Sequence, residues 1–106
     1  MPVMRGLTIL VATADPERFR MALTLASANA ALGGRTRVYF HEAAVGVLAT
    51  SEPMIGTAVE TGAALIACQT GLAMAGMDAS ALPPGVETGG LVGLLADLGD
   101  DRLDTI

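Results

Sequence analysis

The sequence predicts one α/β domain built around a parallel sheet of about five strands. Its 106 residues leave room for a single domain, 1–106. A hydrophobic share of 52% with only 16% charged residues excludes a disordered chain. The chain opens with an apolar run, an amphipathic segment and a second apolar run. This order of strand, helix and strand is typical of a right-handed crossover between parallel strands.

Apolar patterning and punctuating residues predict the first three elements. Leu7–Ala12 is a continuous β-prone run, as expected for a strand covered on both faces. Asp15-Pro16 supplies an N-cap and a first-turn proline for a helix, which Gly33-Gly34 closes. Apolar residues repeat along this helix with helical spacing, at Phe19, Ala22, Leu23, Ala26 and Ala30. Arg35–Phe40 is the second predicted strand.

The middle of the chain predicts two helical segments and a third strand. The apolar stretch 42–49 forms one or two helical turns, and Pro53 opens a further helix to about Gly62. Residues 63–67 form a third buried strand. The small residues of 69–77 predict a helix that begins directly after Cys68.

A loop rich in proline leads to the last three predicted elements. The first is a brief strand at Val86 and Glu87. Thr88 is expected to cap a final helix that Gly99 ends. The apolar residues that share one face of this helix are Leu91, Leu94, Leu95 and Leu98. Arg102–Ile106 is the terminal strand.

Charge and residue counts exclude several classes of function. The net charge of −5 leaves no basic stripe for a nucleic acid or an anionic membrane. No apolar run reaches the ~18 residues of a spanning helix, and a single cysteine fits a reducing compartment. We therefore expect a cytoplasmic protein with neither nucleic-acid nor membrane partners. One histidine and one cysteine cannot build a four-ligand zinc site, and no dinucleotide fingerprint or P-loop is present, so we expect neither metal nor cofactor.

Side chains with reactive or ligand-binding groups follow the ends of the predicted strands. In an open parallel sheet, ligands collect outside the carboxyl ends of the strands. The residues at that edge are Thr13, Asp15, His41, Glu42, Cys68, Gln69, Thr70 and Thr88. Cys68 stands between a strand end and a helix start, where backbone N–H groups and the helix dipole favour a thiolate. The alternative role for Cys68 is that of a small buried hydrophobe.

The segment from Ala63 to Gly76, which contains ALIACQTGLAMAG, follows a buried strand and precedes the loop to VETGGLVGLLADL. It resembles the cysteine segment of the DsrE/DsrF-like family of small sulfur-relay proteins. Three further regions are similar to that family: the first strand with its helix, the aromatic strand end and acidic turn at 39–42, and the closing strand after the acidic turn at 100–106. The chain departs from the family in a compressed connection between Phe40 and Ala63.

The resemblance implies a three-layer α/β/α fold with a five-stranded, mainly parallel sheet, assembled as a homotrimer or hexamer. It further implies that Cys68 accepts sulfur as a persulfide and passes it on, in exchange with donor and acceptor proteins. Gly71 and Gly76 match the small positions after that cysteine. The share of charged residues, below the ~25% of an average chain, independently favours burial against copies of the same chain.

His41 is the only imidazole. If the second and third strands are neighbours, it lies roughly 5 Å from Cys68 and can stabilise a thiolate; with a strand between them the distance doubles. A solvated strand-end histidine is the alternative, and Glu42 can either contact the same edge or interact with the helix dipole.

Two functions remain open. One is a sulfur carrier or sulfurtransferase-like protein using Cys68, and the other is a non-catalytic oligomeric module binding a small ligand or protein partner at this edge.

Overall fold

The computed structural model describes residues 5–50 and 52–106. In chain order the elements are β1 (Leu7–Val11), α1 (Pro16–Ala31), β2 (Thr36–Phe40), a 3-10 helix (Glu42–Ala49), α2 (Pro53–Thr61), β3 (Ala64–Cys68), α3 (Gln69–Met74), a short 3-10 turn (Ala79–Ala81), β4 (Val86–Gly89), α4 (Leu91–Ala96) and β5 (Arg102–Thr105). Every strand and helix that the sequence predicts is present. Within the described residues, no helix has both the length and the apolar character needed to cross a membrane.

The five strands form one sheet in the order β4-β3-β2-β1-β5, and all four strand pairs are parallel. This confirms the predicted α/β class with a five-stranded parallel sheet. From β1 to β4 the chain steps in one direction across the sheet, so right-handed crossovers put α1, α2 and α3 on one face. The connection from β4 to β5 returns to the opposite edge and puts α4 on the other face, which completes three layers.

The main core lies between the sheet and α1. Ile9, Val38 and Leu65 point from three neighbouring strands into this layer and are fully buried. The ring of Phe19 on α1 meets that of Phe40 on β2, with 5.1 Å between their centroids. Each such side chain contributes roughly 1.5–3 kcal/mol when buried. This face of the sheet therefore supplies most of the hydrophobic stabilisation.

On the opposite face, ion pairs around the buried side chains of Arg37 and Asp101 tie the sheet to the connection between α4 and β5. Arg37 on β2 lies 3.3 Å from Asp97 and 3.5 Å from Asp101. Asp101 also accepts hydrogen bonds from the Thr8 hydroxyl at 3.1 Å and from Arg35 at 3.2 Å. Because removing one partner would leave a buried charge uncompensated, these contacts hold α4 in place over the sheet.

The predicted cap of the last helix is wrong. Thr88 belongs to β4, which continues through Gly89 because it pairs with β3 as far as Cys68. The helix begins at Leu91, with Gly90 at its N-cap. A pairing between distant segments thus overrides the local capping signal of a threonine.

The predicted end of the helix after Cys68 is also wrong. This helix ends at Met74 rather than Met77. Gly76 adopts a φ of 65°, in the left-handed region that glycine tolerates. The Met77 N–H then donates to the Leu72 carbonyl at 2.9 Å, which closes the helix in a Schellman motif.

Candidate functional site

Cys68 is the last residue of β3 and the N-cap of α3. Because β2 and β4 flank β3, the residues that end those strands become its neighbours. Together they enclose a pocket of about 180 Å³, lined by Tyr39, His41, Glu42, Cys68, Gln69, Thr70, Gly89, Gly90 and Leu91. Cys68 is only 5% exposed, so a reagent has to enter this pocket to reach its sulfur.

Four donor groups surround the Cys68 Sγ. The Gly71 N–H donates a hydrogen bond to it at 3.4 Å. The backbone N–H groups of Thr70 and Glu42 and the hydroxyl of Tyr39 lie close enough to lower the pKa of the thiol. Thr70 and Gly71 belong to the first turn of α3, whose N–H groups have no partner within the helix. A sulfur anion at the N-cap is therefore a natural acceptor for them.

Burial and hydrogen bonding act in opposite directions on the pKa of the Cys68 thiol. Burial raises that pKa and is the largest single influence. The Tyr39 hydroxyl lowers it, followed by the N–H groups of Gly71, Glu42 and Thr70, and together the donors leave the pKa below its ordinary value. Among the described residues, the pocket lining contains no arginine or lysine. Neutral donors, and not a cation, therefore favour the thiolate.

Glu42 contributes its N–H from a strained backbone. Its φ of 44° is the one positive value at a non-glycine residue among those described. The first turn of α3 comes very close to this residue, because a Cβ on Gly71 would lie 2.9 Å from the Glu42 carbonyl oxygen and 2.6 Å from Val45 Cγ2. The missing side chain at Gly71 thus lets two chain segments approach the same sulfur.

His41 lies in the pocket at the end of β2. Since β2 pairs directly with β3, no strand separates His41 from Cys68. Its Nε2 is 3.3 Å from the Glu42 carboxylate, and its ring centroid is 6.3 Å from that of Tyr39. Within the described residues, its buried Nδ1 has no hydrogen-bond partner. The imidazole therefore contacts Glu42 and Tyr39 and does not bond to the thiol.

The remaining predicted site residues divide into two groups. Gln69 and Thr70 open α3 and line the pocket with exposed side chains. Asp15 and Gly76 lie outside it. Asp15 caps α1, where its carboxylate accepts the Glu17 N–H at 3.1 Å, and Gly76 ends α3.

Tyr39 and Gly89 belong to the pocket, although no local pattern singles them out. Tyr39 pairs with Ile66 in the β2–β3 ladder, so it faces the same side of the sheet as Cys68, two residues along β3. Gly89 pairs with Cys68 in the β3–β4 ladder, and a Cβ there would lie 2.9 Å from Ile66 Cγ2, so close packing favours glycine at this position of the pocket wall. Side chains alternate between the two faces along each strand. Once the strand order is known, this alternation shows that Tyr39 and Gly89 lie on the same side of the sheet as Cys68.

No metal centre accompanies the thiol in the part of the chain that the structure describes. Across residues 5–50 and 52–106, no group of three histidine, cysteine, aspartate or glutamate side chains is arranged to hold a metal ion.

No protein-family model and no curated protein matches this chain by sequence. Solved structures do match it. The chain is similar to the ychN protein from E. coli, with a TM-score of 0.78 and 20% identity over 97% of this chain and 100% of that one. It is similar to MTH1491, a protein of unknown function from Methanobacterium thermoautotrophicum, with a TM-score of 0.80 and 20% identity over the same shares of the two chains. Both similarities show the fold, a small α/β protein with a five-stranded parallel sheet.

Proposed function

We propose that this protein is a sulfur carrier of the DsrE/DsrF-like type, sulfurtransferase-like in its chemistry, that holds sulfur as a persulfide on Cys68. The observation that carries the proposal is the position of the Cys68 Sγ at the N-cap of α3, where it accepts the Gly71 N–H at 3.4 Å in a pocket that donor groups of Tyr39 and Glu42 also line. Such donors favour the thiolate, which is the form of cysteine that attacks sulfur. A cysteine that served only as a small core residue would have no need of them.

The transfer step conserves atoms and electrons without an added oxidant. The Cys68 thiolate attacks the outer sulfur of a donor persulfide, and the sulfur–sulfur bond of the donor breaks as a new one forms on Cys68. The electron pair of the broken bond leaves on the donor as its thiolate. The transferred sulfur, with any proton it carries, becomes the outer atom of the Cys68 persulfide. An acceptor thiolate removes it by the same step.

The size of the pocket supports a small transferred group. A volume of about 180 Å³ lies below the roughly 300–1,000 Å³ of ordinary ligand sites. Gly89 and Gly90 line it beside the thiol, and the absence of side chains there leaves room for an added sulfur atom and the end of a donor cysteine. This size is less suited to the alternative function, the non-catalytic binding of a small ligand.

The test is sulfur uptake measured by intact mass. Since Cys68 is the only cysteine, a gain of one sulfur atom after incubation with glutathione persulfide reports on that residue alone. We expect one added sulfur per chain, which dithiothreitol removes, and none in the Cys68→Ala variant.

Two results would contradict the proposal. One is a folded protein that takes up no sulfur while the same donor modifies a free thiol in the same solution. The other is uptake only after denaturation, which would make Cys68 a core residue. Either result would leave the non-catalytic module as the better description.

Self-association and exchange with donor and acceptor proteins belong to the same proposal. We propose that the chain forms a homotrimer, or a hexamer built from it. The low share of charged residues supports this, as do the exposed apolar side chains of Val92, Leu95 and Leu103. A surface of this kind gains free energy when it is covered.

A further inference from the structure

We propose that Tyr39 is a second functional residue of this site: its hydroxyl donates to the Cys68 Sγ and controls how much of the thiol is present as thiolate at neutral pH. The inference rests on the proposed sulfur carriage, because the thiolate is the attacking species in that transfer. It adds to it a specific side chain that lies on a different strand from the cysteine.

The fold places the Tyr39 side chain in the same pocket as the thiol. Tyr39 is 1% exposed, and its ring packs beside that of His41. Tyr39 and Cys68 lie on adjacent strands and face the same side of the sheet, at diagonal positions two residues apart in register. Diagonal pairs in a sheet are within reach of a long aromatic side chain, and both residues line the same pocket.

Tyr39 differs in kind from the other three donors to the sulfur. The N–H groups of Gly71, Thr70 and Glu42 belong to the backbone, so no substitution short of proline removes them. The Tyr39 hydroxyl is the one side-chain donor among the four. Burial, followed by the contact with Cys68, raises the pKa of Tyr39, so the phenol keeps its proton and remains a donor wherever the thiolate forms.

The described residues of the pocket lining offer no cation that bonds to the sulfur in place of this donor. They include neither arginine nor lysine, and the two other titratable side chains, His41 and Glu42, contact each other. A thiolate held by neutral donors alone depends on each of them, because a hydrogen bond to a charged acceptor is worth about twice a neutral one. Removal of the phenol oxygen should therefore be visible in the titration of Cys68.

The decisive experiment is the rate of iodoacetamide alkylation of Cys68 as a function of pH, in the wild type and in Tyr39→Phe. Phenylalanine keeps the ring and its packing and removes only the donor. We expect the apparent pKa of Cys68 to rise by about 1, which lowers the thiolate fraction at neutral pH about tenfold, and the rate at neutral pH to fall about threefold because the remaining thiolate is more reactive. The limiting rate at alkaline pH should rise about threefold, because a thiolate of higher pKa is the better nucleophile.

The two ends of the pH profile separate this role from a structural one. A variant that merely distorts the pocket would react at an altered rate at every pH with an unchanged midpoint, and that result would overturn the inference. An unchanged profile would overturn it as well. Sulfur uptake by the wild type is measured separately, so a shifted midpoint with no uptake would refute sulfur carriage and leave the tuning role of Tyr39 intact.

A second measurement needs no change at Tyr39 and covers the case in which Tyr39→Phe does not fold. The chain has one tyrosine and no tryptophan, so its fluorescence reports on Tyr39 alone. A thiolate in contact with the phenol quenches that fluorescence. We expect it to fall with rising pH at the midpoint of Cys68 alkylation, and this step to be absent in Cys68→Ala. A step that persists in Cys68→Ala, or no step in the wild type, would contradict the contact.

Discussion

Peptide N–H groups, more than charged side chains, determine the chemistry of Cys68. Three of the four groups that lower the pKa of its thiol are backbone N–H groups, and one of these belongs to Glu42, whose φ of 44° costs roughly 1–2 kcal/mol in a residue with a Cβ. Strain of this kind is stored where a particular donor position is needed. The contribution of Glu42 to the thiolate is thus its N–H, whereas its carboxylate lies 3.3 Å from His41 Nε2.

This division of roles predicts that Glu42→Gly stabilises the protein. Glycine adopts a positive φ without penalty and keeps the N–H, so urea denaturation should show a gain of about 1 kcal/mol in the free energy of unfolding. The alkylation midpoint of Cys68 should stay in place. Ala43→Gly is the matched control: it lies next in the chain at an ordinary φ, and glycine there should cost roughly 0.5–1 kcal/mol. A loss of stability in Glu42→Gly as large as in the control would contradict the assignment.

Two short elements build the site through one close contact. The first turn of α3 meets the start of the 3-10 helix at Gly71, where a Cβ would lie 2.6 Å from Val45 Cγ2 and 2.9 Å from the Glu42 carbonyl oxygen. Neither backbone atoms nor a buried valine can move away at low cost. The distance between these elements therefore determines whether the N–H groups of Gly71 and Glu42 reach the same sulfur.

We predict that Gly71→Ala separates the two elements. It should lower the free energy of unfolding by roughly 1–3 kcal/mol, as overpacking of a tight contact does, and should raise the alkylation midpoint of Cys68 because donors are lost. Gly46→Ala is the matched control. Gly46 lies in the 3-10 helix that Gly71 approaches, and a Cβ there meets nothing within 4 Å. If both variants keep the wild-type midpoint, the close approach at Gly71 plays no part in activating the thiol.

The elements were predictable where their signals are local. Pro16 and Pro53 occupy the first turns of α1 and α2, and Gly62 takes a left-handed conformation at the end of α2; these residues specify helix ends without knowledge of the rest of the chain. The prediction for Thr88 is wrong because the extent of β4 depends on its pairing with β3.

The same limit applies to the site. The position of Cys68 at a strand end and helix start follows from the sequence, and so does the presence of His41 at the same edge. The contact of Cys68 with Tyr39 depends on which strands are neighbours, and the donor from Glu42 depends on a backbone turn that no residue preference favours. Strand order and that turn are products of the whole fold, so neither could be read from the residues themselves.

At the scale of the whole molecule, the two faces of the sheet are unequally covered. On the α1 face, Ile9, Val38 and Leu65 have no exposed surface. On the α4 face, Leu10 and Ile66 remain partly exposed, and Leu103 of the edge strand β5 is 43% exposed. The reason is the length of α4, which spans six residues against the sixteen of α1. One short helix leaves apolar surface that a second copy of the chain would cover.

The proposed trimer is therefore expected to form through the α4 face. Light scattering on the wild type should give a mass of three 10.7 kDa chains, or six. Val92 on α4 is 85% exposed, and Val92→Glu should shift the protein to the monomer because a carboxylate in an apolar interface loses its hydration. Leu32→Glu is the control: Leu32 is 69% exposed at the end of α1, on the other side of the sheet, and its replacement should leave the assembly intact. A wild-type mass near 10.7 kDa at every concentration, or equal dissociation of both variants, would contradict assembly through this face.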